Sequence, residues 1–429
     1  MCSRVPLLAV VVISSCGLYA SDQLELGLIV RAQSDFDRVE TSVRPQIQET
    51  NACIQSQVAA IAVAPRAELS SLYFRKGYCE LIDATLDRQP RDFQQAAASF
   101  QKSIEAWPDT PGRNPKNGYP QPVPSSLRIL AAISPLEGGR VAGDALASAA
   151  KEISTAVEPG LCPGFVSPPV LCQSLLQVGH EWLGWIALER ADLIEARRDL
   201  SSVPESAWAR WIAGQQAFHD RDYSQASAAY QQAVNFWTHR QPEEGNIVER
   251  LAPQPDLPLV WMRLGQAQLL AGNLHTAVTS LNSAIKASPN LSRAIYYRAR
   301  AEELEGQTEP ALTDYALASR TAFANAENLK SGEAHLYRGI LFFRRLEYTR
   351  AEDEFSSALN FAISPDLLPD AEAWRHMAAV AGGACGASRQ FLEDSLTRVS
   401  PLFPKQEARK IAAACPLSPQ VSRVTGALP

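Results

Sequence analysis

The sequence predicts an all-α protein built as an array of stacked antiparallel helix pairs. The main observation is a grid of residue types that recurs with a period near 34 residues in the second half of the chain. In each copy an alanine follows a small residue after twelve positions, a large apolar residue follows after four more, and a small or apolar residue after another three. At 429 residues the chain is long for a single core, whereas an array can grow lengthwise.

The grid occurs five times in one phase. A small residue on a first helix and an alanine on a second helix let the two helices approach closely, and the large residue fills the groove between neighbouring pairs. Each pair leaves one apolar face uncovered, so it must stack on the next pair. The copies are Gly184-Ala196-Leu200-Val203, Gly214-Ala226-Tyr230-Ala233, Gly265-Ala277-Leu281-Ala284, Ala299-Ala311-Tyr315-Ala318 and Gly339-Ala351-Phe355-Ala358.

The third copy resembles the tetratricopeptide repeat (TPR) family. It matches seven of the eight consensus positions of that family and has Gln268 where a tyrosine is usual. The resemblance covers residues 177–363 and implies a TPR-type α-solenoid in which antiparallel helix pairs form a right-handed superhelix. The matching residues are Trp261, Leu264, Gly265, Ala277, Leu281, Ala284 and Pro289.

Residues 16–107 are predicted to be an N-terminal helical region that contains a divergent repeat. Phe93, Ala96 and Phe100 match the second helix of the motif. In the first helix, however, Gly77 lies about two helical turns too early for the grid. We therefore expect a related helix pair with altered packing.

Proline-rich segments divide the rest of the chain. Residues 108–124 contain six prolines and are predicted to be a linker. They separate the N-terminal region from an irregular helical segment, 125–176, which precedes an array of about five repeats, 177–363. Residues 364–429 are predicted to be C-terminal capping helices. A second interruption, 241–258, is expected to be pushed out on the binding face of the array.

Residues 1–15 are predicted to be a signal peptide of the lipoprotein type. Nine uncharged residues, 5–13, follow a basic start and precede a stretch of small residues. This run is shorter than the roughly 20 residues of a membrane-spanning helix. The segment ISSC at 13–16 resembles the bacterial lipobox, which implies lipidation of Cys16 and attachment to the periplasmic side of the outer membrane. The alternative is ordinary cleavage near Ala20, which would give a soluble periplasmic or extracellular protein.

The cysteines favour an exported protein with disulfides. Loss of Cys2 with the signal and lipidation of Cys16 would leave six of the eight, an even number. Two pairs are symmetric about predicted hairpin tips near Arg66 and Ser400, which places their members at the same height on facing helices. A third pair brackets a proline-rich turn. The predicted bridges are Cys53–Cys79, Cys385–Cys415 and Cys162–Cys172, and the alternative is six buried free thiols.

The sequence gives no support to an enzyme. It contains no G-x-S-x-G elbow, Walker loop, H-E-x-x-H pair or glycine-rich dinucleotide turn. It also lacks a C-x-x-C pair, and no histidine lies within a helical turn of another histidine or a cysteine. We therefore predict no catalytic residues, no cofactor and no metal. The net charge of −6 disfavours nucleic acid as a partner.

The resemblance assigns the inner surface of the superhelix to positions 2, 5, 9, 12 and 13 of each repeat. At these positions the chain has aromatic, methionine and arginine side chains, which are enriched at interaction hot spots. Such a lining suits an extended or helical peptide with apolar anchors and some acidic character. The alternative is that several of these residues, especially Leu269, Leu304 and Ile340, belong to the core. The predicted peptide-groove residues are Trp208, Trp211, Gln215, Phe218, Met262, Gln266, Arg293, Tyr296, Arg300, Leu336, Phe343 and Arg344.

The function predicted from these features is an exported, membrane-tethered scaffold. It would bind protein or peptide segments in its groove for the assembly or organisation of a cell-envelope complex. One alternative is an enzyme or carbohydrate-handling accessory with a site in residues 108–185, where Trp182 and Trp185 would stack on sugars. These two tryptophans are more simply explained as packing residues. A second alternative is a structural spacer without a ligand.

Overall fold

The computed structural model describes residues 27–39, 46–87, 90–107, 125–137, 143–157, 169–239, 251–324, 328–361, 363–401 and 403–415. In these ranges every regular element is a helix, which confirms the predicted all-α, TPR-type solenoid class. No helix of this part of the chain combines the length and apolar character needed to cross a membrane. The chain forms two compact units: unit 1 extends to Ile212 and includes Asn235–Gln254, and unit 2 comprises Ala213–Val234 and the residues from Pro255 onward.

Helices α2 to α8 of unit 1 form a series in which each packs on the next. Helix α2 packs on α3, α3 on α4, and so on through α8, and α5 also contacts α7. Helices α9 and α10 contribute residues to both units. The helices are α1 (27–39), α2 (Ile47–Val63), α3 (Leu69–Asp87), α4 (Pro90–Ala106), α5 (Ser125–Glu137), α6 (Gly143–Val157), α7 (Pro169–Glu189), α8 (Leu193–Leu200), α9 (Ala207–His219) and α10 (Tyr223–His239).

The divergent repeat of unit 1 is a longer version of the regular helix pair. A Cβ atom added to Gly77 would lie 2.9 Å from Cδ1 of Phe100, so glycine is needed for this close approach. Gly77 and Phe100 are 23 residues apart, against 16 for Gly265 and Leu281 in a regular copy. The seven extra residues lengthen each helix by about one turn. Gly77 therefore allows the close approach of the two helices, as Gly265 does in the regular copy, although its position does not fit the grid.

Part of the insertion at 241–258 packs inside unit 1, which corrects the expectation that it is pushed outward. Leu251 is 1% and Ala252 is 6% exposed. The indole Nε1 of Trp182 donates a hydrogen bond to the carbonyl oxygen of Leu251 at 2.7 Å. The Nε1 of Trp208 donates a hydrogen bond to the carbonyl oxygen of Pro253 at 2.8 Å. Two tryptophans thus hold the returning chain against the core, whereas residues 240–250 and the linker 108–124 lie outside the described residues.

Unit 2 contains regular helix pairs. Each first helix packs on its second helix, and each second helix packs on the first helix of the following pair. The final helices α17, α18 and α19 pack on one another at the C-terminal end. The helices are α11 (Leu257–Leu270), α12 (Leu274–Ala287), α13 (Ser292–Leu304), α14 (Thr308–Ala324), α15 (Asn328–Arg344), α16 (Tyr348–Asn360), α17 (Leu368–Ala381), α18 (Ala387–Ser395) and α19 (Lys405–Ala414).

The residues of the grid form the contacts that its spacing implies. A Cβ atom added to Gly265 would lie 2.5 Å from Cγ of Leu281, and one added to Gly339 would lie 2.7 Å from Cε1 of Phe355. Real Cβ atoms essentially never approach other atoms this closely, so the absent side chain is what lets the second helix approach. Leu281 and Phe355 are both fully buried. The period seen in the sequence is therefore a period of close helix contacts.

All five repeats close with the same turn, seven residues after the small residue of the grid. The turn residue has a positive φ angle, between 59° and 82°, and glycine occupies it in two copies. The next amide donates to the carbonyl oxygen five residues earlier, which caps the C-terminus of the first helix. The turn residues are Ala191, Arg221, Gly272, Gly306 and Leu346.

Two cysteine pairs lie at disulfide distance. Cys53 of α2 and Cys79 of α3 have Cα atoms 6.3 Å apart. Cys385 and Cys415 have Cα atoms 5.8 Å apart and join the end of α19 to the turn before α18. Of the third predicted pair, Cys162 lies outside the described residues, as do the signal segment 1–15 and the lipidation position Cys16.

Candidate functional site

The first helices of successive pairs in unit 2 adjoin one another. Helix α13 contacts both α11 and α15, and α15 also contacts α17. Helices α11, α13 and α15 carry the positions that the TPR resemblance assigns to the inner surface of the array. We call this set the inner strip: Leu259, Met262, Gln266, Leu269, Leu270, Arg293, Tyr296, Arg300, Glu303, Leu304, Glu333, Leu336, Ile340, Phe343 and Arg344.

A buried carboxylate organises the centre of the inner strip. The side chain of Glu303 is 5% exposed. Its Oε2 atom accepts hydrogen bonds from Nη1 of Arg300 at 2.5 Å and from the hydroxyl of Tyr315 at 2.6 Å. Its Oε1 atom accepts from Nη1 of Arg344 at 3.1 Å. Because these partners come from α13, α14 and α15, Glu303 ties three helices together.

Aromatic rings surround the guanidinium group of Arg300. Its carbon Cζ lies 3.8 Å from the ring centroid of Tyr337, in a cation–π arrangement. Tyr337 in turn stacks on Tyr315 with an interplanar angle of 17°. Burial by itself would lower the pKa of Arg300, but the neighbouring Tyr315 and Glu303 raise it above the ordinary value. Arg300 is therefore a fixed positive charge in a largely aromatic setting.

Exposed leucines lie at the ends of the first helices α11 and α13. Leu270, at the end of α11, is 47% exposed, and Leu304, at the end of α13, is 56% exposed. Leu259, at the start of α11, is 38% exposed. The alternative that Leu304 belongs to the core is wrong, because its position at the helix end leaves the side chain in solvent. Leu269 and Ile340 are buried, as that alternative proposed.

Burial divides the twelve predicted groove residues. Six are less than 9% exposed, so their side chains pack inside the protein and offer little contact area. Another four are half-buried, and Arg293 and Arg344 are exposed. The buried residues are Trp208, Trp211, Met262, Tyr296, Leu336 and Phe343. The half-buried residues are Gln215, Phe218, Gln266 and Arg300.

The two buried tryptophans have a specific reason for their burial. Trp208 and Trp211 both pack on Trp237, with ring centroids 5.1 and 6.2 Å apart, and all three belong to unit 1. Trp208 also bonds the returning insertion at Pro253. We therefore reassign these rings from ligand contact to packing of unit 1.

Three tyrosines contribute to the site although no consensus position marks them as groove residues. Tyr297 lies 2.8 Å from Nε2 of Gln266, which donates to its hydroxyl and so links α13 to α11. Tyr315 and Tyr337 contact Glu303 and Arg300 as described above. Each of these three contacts joins residues of two different helices, so no spacing within one helix indicates it.

The described residues offer no sign of a second kind of chemistry. Within these ranges, no group of three or more His, Cys, Asp and Glu side chains is placed to hold a metal ion. Trp182 is 3% exposed and packs edge-on against Trp185, with ring centroids 5.2 Å apart. Its ring therefore has no exposed face on which a sugar could stack.

A charged cluster between α13 and α14 gives the fold a pH dependence. Arg298 donates two hydrogen bonds to Asp314, at 2.5 and 2.8 Å. Oε2 of Glu302 is buried nearby and has no hydrogen-bond partner among the residues that the structure describes. Burial, reinforced by the charge of Asp314 and opposed by Arg298, raises the pKa of Glu302 to about 7. Glu302 of the folded protein therefore keeps its proton up to a higher pH than Glu302 of the unfolded chain, whose pKa is 4.5.

The substitution Glu302→Gln is expected to stabilise unit 2 above pH 7 and to be nearly neutral below pH 4.5. Between pH 4.5 and about 7 the folded state binds more protons than the unfolded state. The contribution of Glu302 to the free energy of unfolding therefore falls as the pH rises through this window. Glutamine resembles the protonated acid and has no such loss. Urea midpoints of the two proteins, measured across this pH range, test the prediction. A difference that stays constant with pH would contradict it.

One segment of the array matches a known family in sequence. Residues 259–290, which span α11 and α12, match the model of the Tetratricopeptide repeat family. The TPR resemblance is thus supported at the third copy of the grid. No curated protein matches the chain significantly.

Solved structures match the chain at low sequence identity and with TM-scores below 0.5. MamA protein has 15% identity and a TM-score of 0.35, covering 51% of this chain and 100% of its own. A TPR protein from Parabacteroides merdae has 15% identity and a TM-score of 0.32, with coverages of 70% and 99%. A signal transduction ATPase with a TPR sensor, from Pyrococcus horikoshii, has 12% identity and a TM-score of 0.41, covering 87% of this chain and 56% of that one. The assignment of fold here rests on the helices and contacts of this chain itself.

Proposed function

We propose that this protein is a scaffold that binds a segment of a partner protein on the inner strip of unit 2. The observation that carries the proposal is the exposure of Leu270 and Leu304 on adjoining first helices, together with the charged centre around Glu303. TPR-type solenoids use surfaces of this kind for protein–protein interaction. Rigid helices hold the strip in place, so little ordering entropy is lost on binding.

The side chains of the inner strip indicate the chemistry of the partner. Burial of exposed leucines would stabilise a complex by about 25 cal/mol for each Å² of apolar surface removed from water. Arg344 is 62% exposed and bonds Glu303 with one guanidinium nitrogen, so it has donors left for a second carboxylate. The segment that fits is therefore extended or helical, with apolar side chains and at least one acidic group.

We also propose that the protein acts outside the cytoplasm, in the assembly or organisation of a cell-envelope complex. The signal-like segment 1–15 and the lipobox-like Cys16 support export and attachment through a lipid anchor at the outer membrane. The two cysteine pairs at disulfide distance fit an oxidising compartment. Cell fractionation and mass spectrometry of the mature N-terminus test this part separately.

Photo-crosslinking in the native host tests the binding surface. A benzoylphenylalanine at position 304 of the full chain is expected to give a discrete, light-dependent adduct with one partner protein. The same residue at Leu317, which is 37% exposed on the second helix α14, serves as the control and should give none. The further change Leu270→Asp should remove the adduct, because a charge within the inner strip opposes apolar contact.

The alternatives make different predictions in the same experiment. A structural spacer without a ligand predicts no specific adduct at position 304. Equal adducts at positions 304 and 317 would show that α13 has no preferred role, and they would contradict the proposal. An enzyme with a site in residues 108–185 predicts that crosslinks at unit 2 leave its activity unchanged.

A further inference from the structure

A basic groove lies on a different surface of unit 2, among α14, α15 and α16. It consists of two adjoining cavities of about 300 and 320 Å³. Both cavities are lined by Ala316 and Arg320 of α14 and by Arg338 of α15. His335 and Phe361 line one end, and Phe342, Arg345 and Arg350 line the other. The groove is therefore continuous and carries four guanidinium groups.

The arginines of the basic groove outnumber the carboxylates that contact them. Arg338 bonds Glu354 at 2.9 Å. Arg345 bonds Glu309 and Glu347, at 2.5 and 2.8 Å. Arg350 shares Glu347 at 2.6 Å. Arg320, which is exposed, contacts only the carbonyl oxygen of Ala316 among the contacts of the described residues. Within the part of the chain that the structure describes, one guanidinium group is thus left without a carboxylate.

Two further features suit an anionic ligand. Phe342 lies beneath two guanidinium groups, with Cζ of Arg338 5.3 Å and Cζ of Arg350 4.0 Å from its ring centroid. This packing holds the arginines in place, so that less entropy is lost when they bind an anion. In addition, Nε of Arg338 is buried and has no hydrogen-bond partner among the described residues. A buried donor without a partner is costly, so a small rotation of this guanidinium toward an acceptor on a ligand would be favourable.

The basic groove and the inner strip occupy opposite sides of α15. Residues Arg338, Phe342 and Arg345 follow the i, i+4, i+7 spacing of one helical face. Leu336, Ile340 and Phe343 follow the same spacing two positions away, which is a rotation of about 160° around the helix. A ligand in the groove would therefore leave the inner strip uncovered.

We propose that the basic groove binds an acidic segment of a partner protein, as a second interaction surface of unit 2. Arginine pairs bidentately with carboxylates, and Arg320, which lacks a carboxylate, and Arg350, which is exposed, can meet acidic side chains of a ligand. The interspersed Glu309, Glu347 and Glu354 would repel a polyanion that tracks the whole groove, and the chain carries a net charge of −6. A short acidic peptide therefore fits better than a nucleic acid.

Fluorescence anisotropy with a fluorescein-labelled octaglutamate peptide tests this site on the full chain. The wild-type protein should bind octaglutamate at low salt, and an octaglutamine peptide should not bind. The double variant Arg320→Gln with Arg350→Gln is expected to weaken binding by at least about tenfold, since it removes two charged donors at the open side of the groove. Hydrogen exchange of α14–α16 checks that the variant keeps its fold.

A matched variant separates a built site from general electrostatics. Arg409→Gln with Lys410→Gln makes the same change in net charge on α19, where both residues are exposed, and should alter affinity by no more than about twofold. Equal losses in the two double variants would overturn the proposal. So would the absence of octaglutamate binding up to about 1 mM peptide. Tighter binding of a labelled oligothymidine, lost in the groove variant, would identify a nucleic-acid site and also overturn it.

Discussion

Replacement of Phe355 by alanine is expected to destabilise unit 2 by about 3–5 kcal/mol. Phe355 is fully buried, fills the space left by Gly339 and stacks on Trp374 with ring centroids 5.9 Å apart. Its removal leaves a cavity between α15 and α16 that rigid helices cannot close. Hydrogen exchange of peptides from α15–α17 measures the loss locally, which suits a chain with two units.

Phe391 of the same unit provides a matched control. It is 56% exposed on α18 and stacks on His376 at 5.2 Å. The substitution Phe391→Ala removes the same atoms from a mostly solvated site and should change stability by no more than about 0.5 kcal/mol. Similar effects for the two variants would mean that the large residue of the grid does not anchor the helix pair.

Removal of the Cys53–Cys79 bridge is expected to destabilise unit 1 by about 3.5 kcal/mol. The two cysteines are 26 residues apart, and a bridge that closes a loop of this length restricts the unfolded chain by about that amount. The double variant Cys53→Ala with Cys79→Ala tests this by urea denaturation. Addition of a reductant to the wild-type protein should lower hydrogen-exchange protection in α2–α4 in the same way, and it should leave protection of these helices in the variant unchanged.

The second bridge shows whether the effect is local. The variant Cys385→Ala with Cys415→Ala should lower hydrogen-exchange protection in α17–α19 and leave α2–α4 unaffected, because the two bridges belong to different units. Intact mass with and without reductant counts the bridges directly. An unchanged mass on reduction would contradict both pairings.

The repeat fold could be predicted from the sequence because close packing tolerates few residue types. Gly265 has no space for a Cβ atom beside Leu281, so the spacing of small and large residues records the contact. The N-terminal pair was harder to recognise because its helices are each about one turn longer. Equal distance from the junction of α3 and α4 does indicate the contact, because Gly77 lies ten positions before Asp87 and Phe100 lies ten positions after Pro90.

The candidate site could be predicted only in part. Positions carried over from the repeat family locate the inner strip, but they do not show which side chains are covered. Trp208 is buried because a segment 45 residues away returns to accept its hydrogen bond. Tyr337 joins Arg300 across two helices. Contacts of this kind depend on the tertiary fold, and no local spacing indicates them.

The most direct test of the central claim is an affinity measurement with the partner that position 304 captures. Isothermal titration of this partner into the full chain should show binding that the variant Leu270→Asp with Leu304→Asp weakens by at least about 100-fold, the loss typical of two central contacts. The control Leu317→Asp should retain wild-type affinity within about twofold. Equal affinities for all three proteins would contradict the claim that the inner strip of unit 2 is the binding surface.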